Sequence, residues 1–329
     1  MTSSDHLAAK IEYSQIGKPL PRTDAAGKVF GGTPFAGDYT MAHMLHMRVV
    51  RSKTASAKIL RLSTGKARAL KGVREILTAQ DLVVPSAVPS FHKGYGDKRP
   101  MTDPPLLASG RIRFFGEPLA LIAAETREIA DRACELVECE IEPIPGVYDP
   151  REALKPGSPL VQGPDNIMVE RVIRKGDAAT GFENADFIVE NTYRTPFQEH
   201  AYLEPEVGLA WVDENDVVNI RTCDQDIEHF RTIAETIGVP HNKVRLRGAF
   251  IGGGFGGKEE CARDVYLALM AHKTGRPVRL EYSREDSFVG HGKRHPMTLR
   301  YKTGVTKDGK ICGLDVDIIA DSGAYLYLS

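Results

Sequence analysis

The chain has 329 residues, which is enough for two domains and a substantial core. Its 42% hydrophobic and 26% charged residues are typical of a globular protein, and 43 basic residues nearly balance 44 acidic ones. This balance gives no electrostatic reason to expect nucleic acid or an anionic membrane as a partner. The N-terminal residues lack the apolar core of a signal peptide, and no run is apolar enough to span a bilayer. We therefore expect a cytoplasmic protein.

The first half of the chain is predicted to form one α/β domain. Residues 1–15 are polar and are predicted to be a flexible N-terminus. The block 16–153 contains a buried-looking apolar strand at 119–124, followed by a helix-like stretch at 127–140. A segment rich in Pro, Gly and Asp then indicates the domain boundary, so that 154–329 forms the next domain.

The second block mixes strands and short helices. The alternation at 187–197 predicts a strand, and 207–223 is typical of a hairpin that turns at Asp213–Asp216. A short amphipathic helix is predicted to end at Gly238. Further strands are predicted at 244–250, 277–283 and 298–320, with a helix at about 263–274. The whole pattern predicts an α+β fold.

Five cysteines are spread along the chain. The nearest pair, Cys134 and Cys139, matches neither a zinc knuckle nor an iron–sulfur motif. We interpret all five as structural or incidental thiols, so any iron–sulfur cluster is expected on another chain.

The most prominent local feature is the glycine-rich segment GGGFGGKE at 252–259, between a predicted strand and a predicted helix. So many glycines indicate backbone in conformations that other residues resist, or backbone pressed against a ligand. The spacing from Gly252 to Gly257 and Lys258 fits the beginning of a phosphate-binding P-loop. However, Glu259 stands where Ser or Thr must hold magnesium, which disfavours nucleotide binding. Taken alone, the segment is also compatible with a turn that lets a helix pack closely on a sheet.

Some histidines have spacings that are found in metal sites, namely His43 with His46, His291 with His295, and His200 with Glu204. Pro296 directly follows His295 and disfavours helix there. The other two groups lack the arrangement of a helical metal motif. We therefore predict no metal-ligating side chain.

Three motifs, taken in order, resemble the molybdenum hydroxylases, the family of xanthine dehydrogenase and aldehyde oxidase. They are QEHAYLEP at 198–205, GGGFGGKE at 252–259 and GKRHP at 292–296. The segments 22–39 and 111–125 resemble the hammerhead domain of that family. The resemblance covers residues 16–329. It implies an N-terminal α/β hammerhead domain followed by part of a mixed α+β molybdopterin-binding domain.

The resemblance also implies roles for particular residues. Gln198 would hydrogen-bond the oxygen ligand of molybdenum or the cofactor, and Glu259 and Arg294 would face the substrate. The loop facing the cofactor would consist of Gly254, Phe255, Gly256 and Gly257. In most members of this family no protein side chain ligates molybdenum directly.

The implied activity is a hydroxylation that inserts water-derived oxygen at an electron-poor carbon of an N-heterocycle or purine. The implied cofactor is molybdenum-molybdopterin, with or without a cytosine dinucleotide, and the electrons would pass to [2Fe–2S] and FAD subunits. The family's glutamate base would lie beyond Ser329. We therefore expect either a second molybdenum-binding chain that carries the C-terminal half, or a truncated product. Two alternatives are an aldehyde or aromatic CoA-thioester oxidoreductase of the same family, and a non-catalytic binding or scaffold fragment.

Overall fold

The structure is a computed structural model that describes residues 13–82 and 104–325. By its contacts the chain divides into a small unit, Met1–Pro34, and a large compact unit, Phe35–Ser329. In the small unit Asp24 pairs with Arg22 at 2.8 Å and with Lys28 at 2.6 Å, beside one short helix. Most of the predicted flexible N-terminus, 1–15, lies outside the described residues.

The described residues contain short helices and many strands, as predicted for an α+β fold. The helices are α1 Ala25–Val29, α2 Gly65–Arg68, α3 Arg127–Glu135, α4 Pro150–Ala153, α5 Ala178–Glu183, α6 Phe230–Ile237, α7 Ala262–Thr274 and α8 Arg284–Gly290. The strands are β1 Leu45–Arg51, β2 Ala57–Ser63, β3 Val73–Thr78, β4 Arg111–Ile112, β5 Pro118–Ala124, β6 Glu138–Pro143, β7 Phe187–Thr195, β8 Val207–Val212, β9 Val218–Thr222, β10 Val244–Gly248, β11 Val278–Glu281, β12 Met297–Val305 and β13 Ile311–Ala320. The predicted α+β class is confirmed.

The core lies on a mixed seven-stranded sheet with the strand order β10-β9-β8-β11-β1-β5-β3. The pairs β10/β9 and β11/β1 are parallel, and the other pairs are antiparallel. Strands β1, β3 and β5 come from the first predicted block, and β8 to β11 come from the second. The sheet therefore joins the two blocks, and the proposed boundary after residue 153 stays a prediction.

Strand β5 is the apolar strand that the sequence predicts. Residues 119–124 are buried, and Leu121 and Ile122 are 0% exposed. A strand that is covered on both faces reads as a continuous apolar run, which explains why the sequence reveals it. The predicted hairpin and helix end are also confirmed. Asp216 adopts a φ of 55°, and Gly238, with a φ of 76°, caps α6.

The helix predicted over 127–140 is too long. Helix α3 ends at Glu135, and Glu138–Pro143 forms β6, which pairs with β2. Leu136 and Val137 fit helical spacing, but Cys139 and Ile141 alternate and pack against the same apolar cluster as β2. This alternation with a period of two is typical of a strand. The packing of the strand outweighs the helix propensity of the residues after Glu135.

The remaining strands form two three-stranded sheets, β13-β12-β7 and β4-β2-β6. Every residue of β7 is exposed, and Ile318 of β13 is half exposed. Within the described ranges, no helix has the length and apolar character that crossing a bilayer requires.

Candidate cofactor-binding site

The glycine-rich segment lies in the loop between β10 and α7, and its backbone requires glycine at several positions. Gly253 and Gly256 have φ values of 98° and 91°, in the region that favours glycine. Phe255 also has a positive φ, 52°, which is unfavourable for an aromatic residue and is maintained by its surroundings. The loop therefore has a defined and strained conformation.

One side of this loop is packed and the other side is open. A Cβ on Gly254 would lie 2.2 Å from Oε1 of Gln225, and a Cβ on Gly257 would lie 2.8 Å from the ring of Tyr202. A Cβ on Gly256 would meet no atom within 4 Å, and the Phe255 side chain is 75% exposed. The loop thus presents Phe255 and Gly256 on its accessible side.

The helix predicted around 263–274 is confirmed as α7, which begins at Ala262. Glu259 is therefore three residues before the helix and not in its first turn. The carbonyl of Lys258 accepts a hydrogen bond from the N–H of Gln225 at 3.0 Å, which holds this backbone outside the helix. Glu259 is therefore not placed to stabilise the helix dipole from within the first turn.

Lys258 is fully buried, unlike the exposed lysine that a P-loop requires. Its Nζ donates to Oε2 of Glu204 at 2.7 Å and lies 4.8 Å from the centre of the Tyr202 ring. The same carboxylate oxygen accepts from the N–H of Gly252 at 2.8 Å. The charge of Lys258 is therefore neutralised within the protein. Because this lysine is buried and paired, it is not placed to bind a phosphate group, which further disfavours nucleotide binding.

The first and third motifs also lie together. The N–H of Arg294 donates to the carbonyl of Gln198 at 3.2 Å, in an isolated antiparallel bridge. The rings of His200 and His291 are 5.3 Å apart. Because His200 and Tyr202 also lie beneath Gly257, the structure brings all three motifs together.

Beneath this junction is a buried hydrogen-bonded cluster. His291 Nδ1 lies 3.0 Å from Oε1 of Glu206 and 3.1 Å from the Tyr202 hydroxyl, which donates to the same Glu206 oxygen. Burial raises the pKa of Glu206, but the hydrogen bonds from His291 and Tyr202 outweigh it and lower the pKa to about 2. Glu206 is therefore ionised at neutral pH.

The outer side of His291 faces a second carboxylate. Its Nε2 lies 3.1 Å from Oε1 of Glu199, and the ammonium of Lys293 lies 2.5 Å from Oε2 of Glu199 and 3.0 Å from His291 Nε2. Glu199, His200 and His291 each place a ligand atom within 4.8 Å of the others. The Lys293 ammonium already supplies the positive charge at this cluster, which opposes a metal ion there.

The predicted site residues occupy different environments. Gln198 and Arg294 are exposed and paired through their backbones, and Glu259 is half-buried on the loop that carries Phe255. Next to Glu259, burial raises the pKa of Glu260 to about 7. The roles assigned to Gln198, Glu259 and Arg294 remain proposals.

Sequence reasoning missed the polar residues that support the loop. Glu204 and Lys258 are inside recognised motifs, but their pairing is not visible from spacing along the chain. Gln225 lies just after β9 and belongs to none of the recognised motifs. The spacing of His291 suggests only metal ligation, whereas the structure places this residue between two carboxylates.

The described residues thus combine a mixed α+β fold with a strained glycine loop over a buried polar cluster. A family model described as "Molybdopterin cofactor-binding domain" matches residues 161–329. Another, described as "Aldehyde oxidase and xanthine dehydrogenase, a/b hammerhead domain", matches residues 31–145. The chain belongs to the aldehyde oxidase and xanthine dehydrogenase family of molybdenum-dependent oxidoreductases, and the predicted resemblance is confirmed.

Similar sequences include the nicotinate dehydrogenase large molybdopterin subunit of Eubacterium barkeri, 33% identical over 95% of this chain and 72% of that protein. A probable xanthine dehydrogenase subunit from Bacillus subtilis is 35% identical over 95% of this chain and 41% of its own length. The chain thus spans 72% of the first of these relatives, 41% of the second and 22% of a longer one, the xanthine dehydrogenase/oxidase of Rattus norvegicus.

Solved structures agree with this assignment. The aldehyde oxidoreductase of Desulfovibrio gigas is 26% identical with a TM-score of 0.84, covering 92% of this chain and 34% of its own. Quinoline 2-oxidoreductase of Pseudomonas putida 86 is 26% identical with a TM-score of 0.82, covering 93% of this chain and 39% of its own.

Proposed function

We propose that this chain binds the molybdenum-molybdopterin cofactor through its glycine loop and serves as a cofactor-binding part of a hydroxylase. The observation that supports the proposal is that the first and third motifs meet at the glycine loop, whose outer side is open. A loop that merely allowed helix packing would not need an exposed Phe255 and an open Gly256.

The loop fits an extended ligand with anionic and polar groups. The N–H groups of Gly254 and Phe255 donate to no acceptor within residues 13–82 and 104–325. Phe255 is exposed and Gly254 is buried, so it is the N–H of Phe255 that is accessible to a ligand. The four residues 254–257 would contact the cofactor, and the exposed amide of Gln198 would hydrogen-bond it. When bound, the cofactor supplies two-electron redox chemistry with oxygen transfer.

Glu259 and Arg294 would bind and orient the substrate. A carboxylate and a guanidinium can hold the ring nitrogens and oxygens of a heteroaromatic compound, and they stabilise charge that develops on the ring during reaction. The half-buried position of Glu259 beside the strained loop supports this role.

We propose an N-heterocycle or purine as the substrate. The names of two relatives, nicotinate dehydrogenase and quinoline 2-oxidoreductase, specify N-heterocycles and support this choice. A second candidate is an aldehyde, which the similarity to an aldehyde oxidoreductase favours. An aromatic CoA thioester is the third class to be tested.

We further propose that the chain works in the cytoplasm within a multi-chain complex. The relatives named as subunits support a multi-chain assembly. We propose that its other members are [2Fe–2S] and FAD subunits and a second molybdenum-binding chain that supplies the remaining cofactor contacts and the general base. The cytosine dinucleotide form of the cofactor is part of the same proposal.

The test is to purify the protein with its native partners and to measure molybdenum by mass spectrometry and pterin by fluorescence of its oxidised derivative. Dye reduction with purines, nicotinate, aldehydes and aromatic CoA esters then assigns the substrate. Stoichiometric molybdenum and pterin with turnover of an N-heterocycle would support the proposal. A stable complex without cofactor would contradict it and favour a scaffold role.

A further inference from the structure

The glycine loop has almost no side chains of its own with which to hold its shape. Between positions 252 and 257 the only side chain is that of Phe255, and it is 75% exposed. Glycine also loses more conformational freedom on folding than any other residue. Whatever fixes the loop must therefore act through its backbone or through residues at its ends.

We propose that the ion pair between the buried Lys258 and the partly buried Glu204 positions this loop for cofactor binding. The proposal rests on the proposed function and assigns Lys258 a role that is neither phosphate binding nor contact with substrate. Both residues act through the loop, so they are positioning residues and not catalytic ones.

The contacts tie the two ends of the loop to a single carboxylate oxygen. Oε2 of Glu204 accepts from the N–H of Gly252 at 2.8 Å and from Nζ of Lys258 at 2.7 Å. The N–H of Glu204 also donates to the carbonyl of Gly252 at 3.2 Å. The segment 252–258 is thereby closed into a ring by one acidic side chain.

Two neighbours complete the arrangement. The Tyr202 ring lies beneath the Lys258 ammonium, at a distance that allows a cation–π contact. Oε1 of Gln225 accepts from the N–H groups of Gly256 and Lys258, at 3.0 and 3.3 Å. A fully buried ammonium is strongly unfavourable without a counter-charge, so Lys258 constrains Glu204 as much as Glu204 constrains Lys258.

The test measures hydrogen exchange of peptides covering 249–261 in the 329-residue, cofactor-free chain. Glu204→Gln and Lys258→Met are expected to accelerate exchange at 252–258 by about tenfold or more, because the closing charge pair is lost. Glu117→Gln is a matched control. Glu117 is a buried carboxylate that, like Glu204, accepts from one backbone N–H, of Arg113, and one side chain, of Tyr325.

The control is expected to leave exchange of the loop unchanged. Loop exchange that equals wild type in both variants, or that rises only in step with every other peptide, would overturn the proposal. If the single variants do not fold, the double variant Glu204→Gln/Lys258→Met removes both charges together, and the same comparison applies to it.

Cofactor content gives a separate readout in the native complex. The positioning variants are expected to retain less than about a tenth of the wild-type molybdopterin, whereas Glu117→Gln retains it. If wild type itself lacks molybdopterin, the proposed function fails, while the exchange result still decides whether the pair positions the loop.

Discussion

The seven-stranded sheet and the glycine loop are held by opposite means. Strand β5 lies between β1 and β3 in the sheet. It is fixed by apolar burial, and the side chains of Leu121 and Ile122 are fully buried. The loop is fixed by hydrogen bonds and by the ion pair between the buried Lys258 and the partly buried Glu204. Apolar burial tolerates small displacements, whereas hydrogen bonds and charge pairs depend on distance and direction, and this suits a loop that must present its backbone accurately.

The first prediction tests the apolar side of this comparison. Leu121→Ala is expected to lower the free energy of unfolding by about 3 kcal/mol, because it leaves a cavity in a fully packed strand. Chemical denaturation followed by circular dichroism measures it. Leu314→Ala is the control, since that leucine is 49% exposed on β13. Similar losses at both positions would show that β5 is not the packed centre of the fold.

The second prediction tests the polar cluster below the loop through its pH dependence. Glu206 has a pKa of about 2 in the folded protein, below its ordinary value of 4.5. The stabilisation that the ionised Glu206 gives to the folded protein is therefore complete above pH 4.5 and is lost as the pH falls through about 2. This lowering of the Glu206 pKa corresponds to about 3 kcal/mol in the free energy of unfolding at neutral pH.

Unfolding free energies of wild type and Glu206→Gln, measured from pH 7 to pH 3, should differ most at pH 7 and converge on acidification. Glu214→Gln, at an exposed position in the β8–β9 turn, serves as the control. A difference that is independent of pH would contradict the assigned ionisation of Glu206.

The third prediction concerns Glu259 in the assembled enzyme. Glu259→Gln is expected to lower kcat by about tenfold or more and to change KM little, because its charge matters most as charge develops on the substrate. Steady-state dye reduction measures both parameters, with the exposed Glu183→Gln as the control. An unchanged kcat with a raised KM would remove Glu259 from this role.

The contrast between apolar burial and polar contacts also explains which parts of the structure can be predicted from the sequence. The apolar run at 119–124 and the left-handed Gly238 leave clear local signals, and both predictions are confirmed. The predicted end of α3 is wrong because Leu136 and Val137 satisfy helical spacing just before a strand begins.

At the site, the motifs predict which segments meet but not what holds them. The resemblance indicates the importance of 198–205, 252–259 and 292–296, and the structure brings them together. No periodicity connects Lys258 to Glu204, 54 residues away, or Gln225 to the N–H of Gly256. Such pairings depend on tertiary contacts between segments that are distant along the chain.

The central claim, that the open side of the glycine loop binds molybdopterin, is tested most directly by two matched substitutions. Gly256 and Gly309 have similar φ values, 91° and 81°, and a Cβ at either position meets no protein atom within 4 Å. Gly256→Ala and Gly309→Ala should therefore cost similar folding stability, about 1 kcal/mol or more each.

Molybdenum and pterin content of the two variants, purified in the native complex, is the deciding measurement. We predict that Gly256→Ala retains less than about a tenth of the wild-type cofactor, because its methyl group would project into the bound ligand, while Gly309→Ala retains nearly all of it. Equal cofactor content in the two variants would contradict the account.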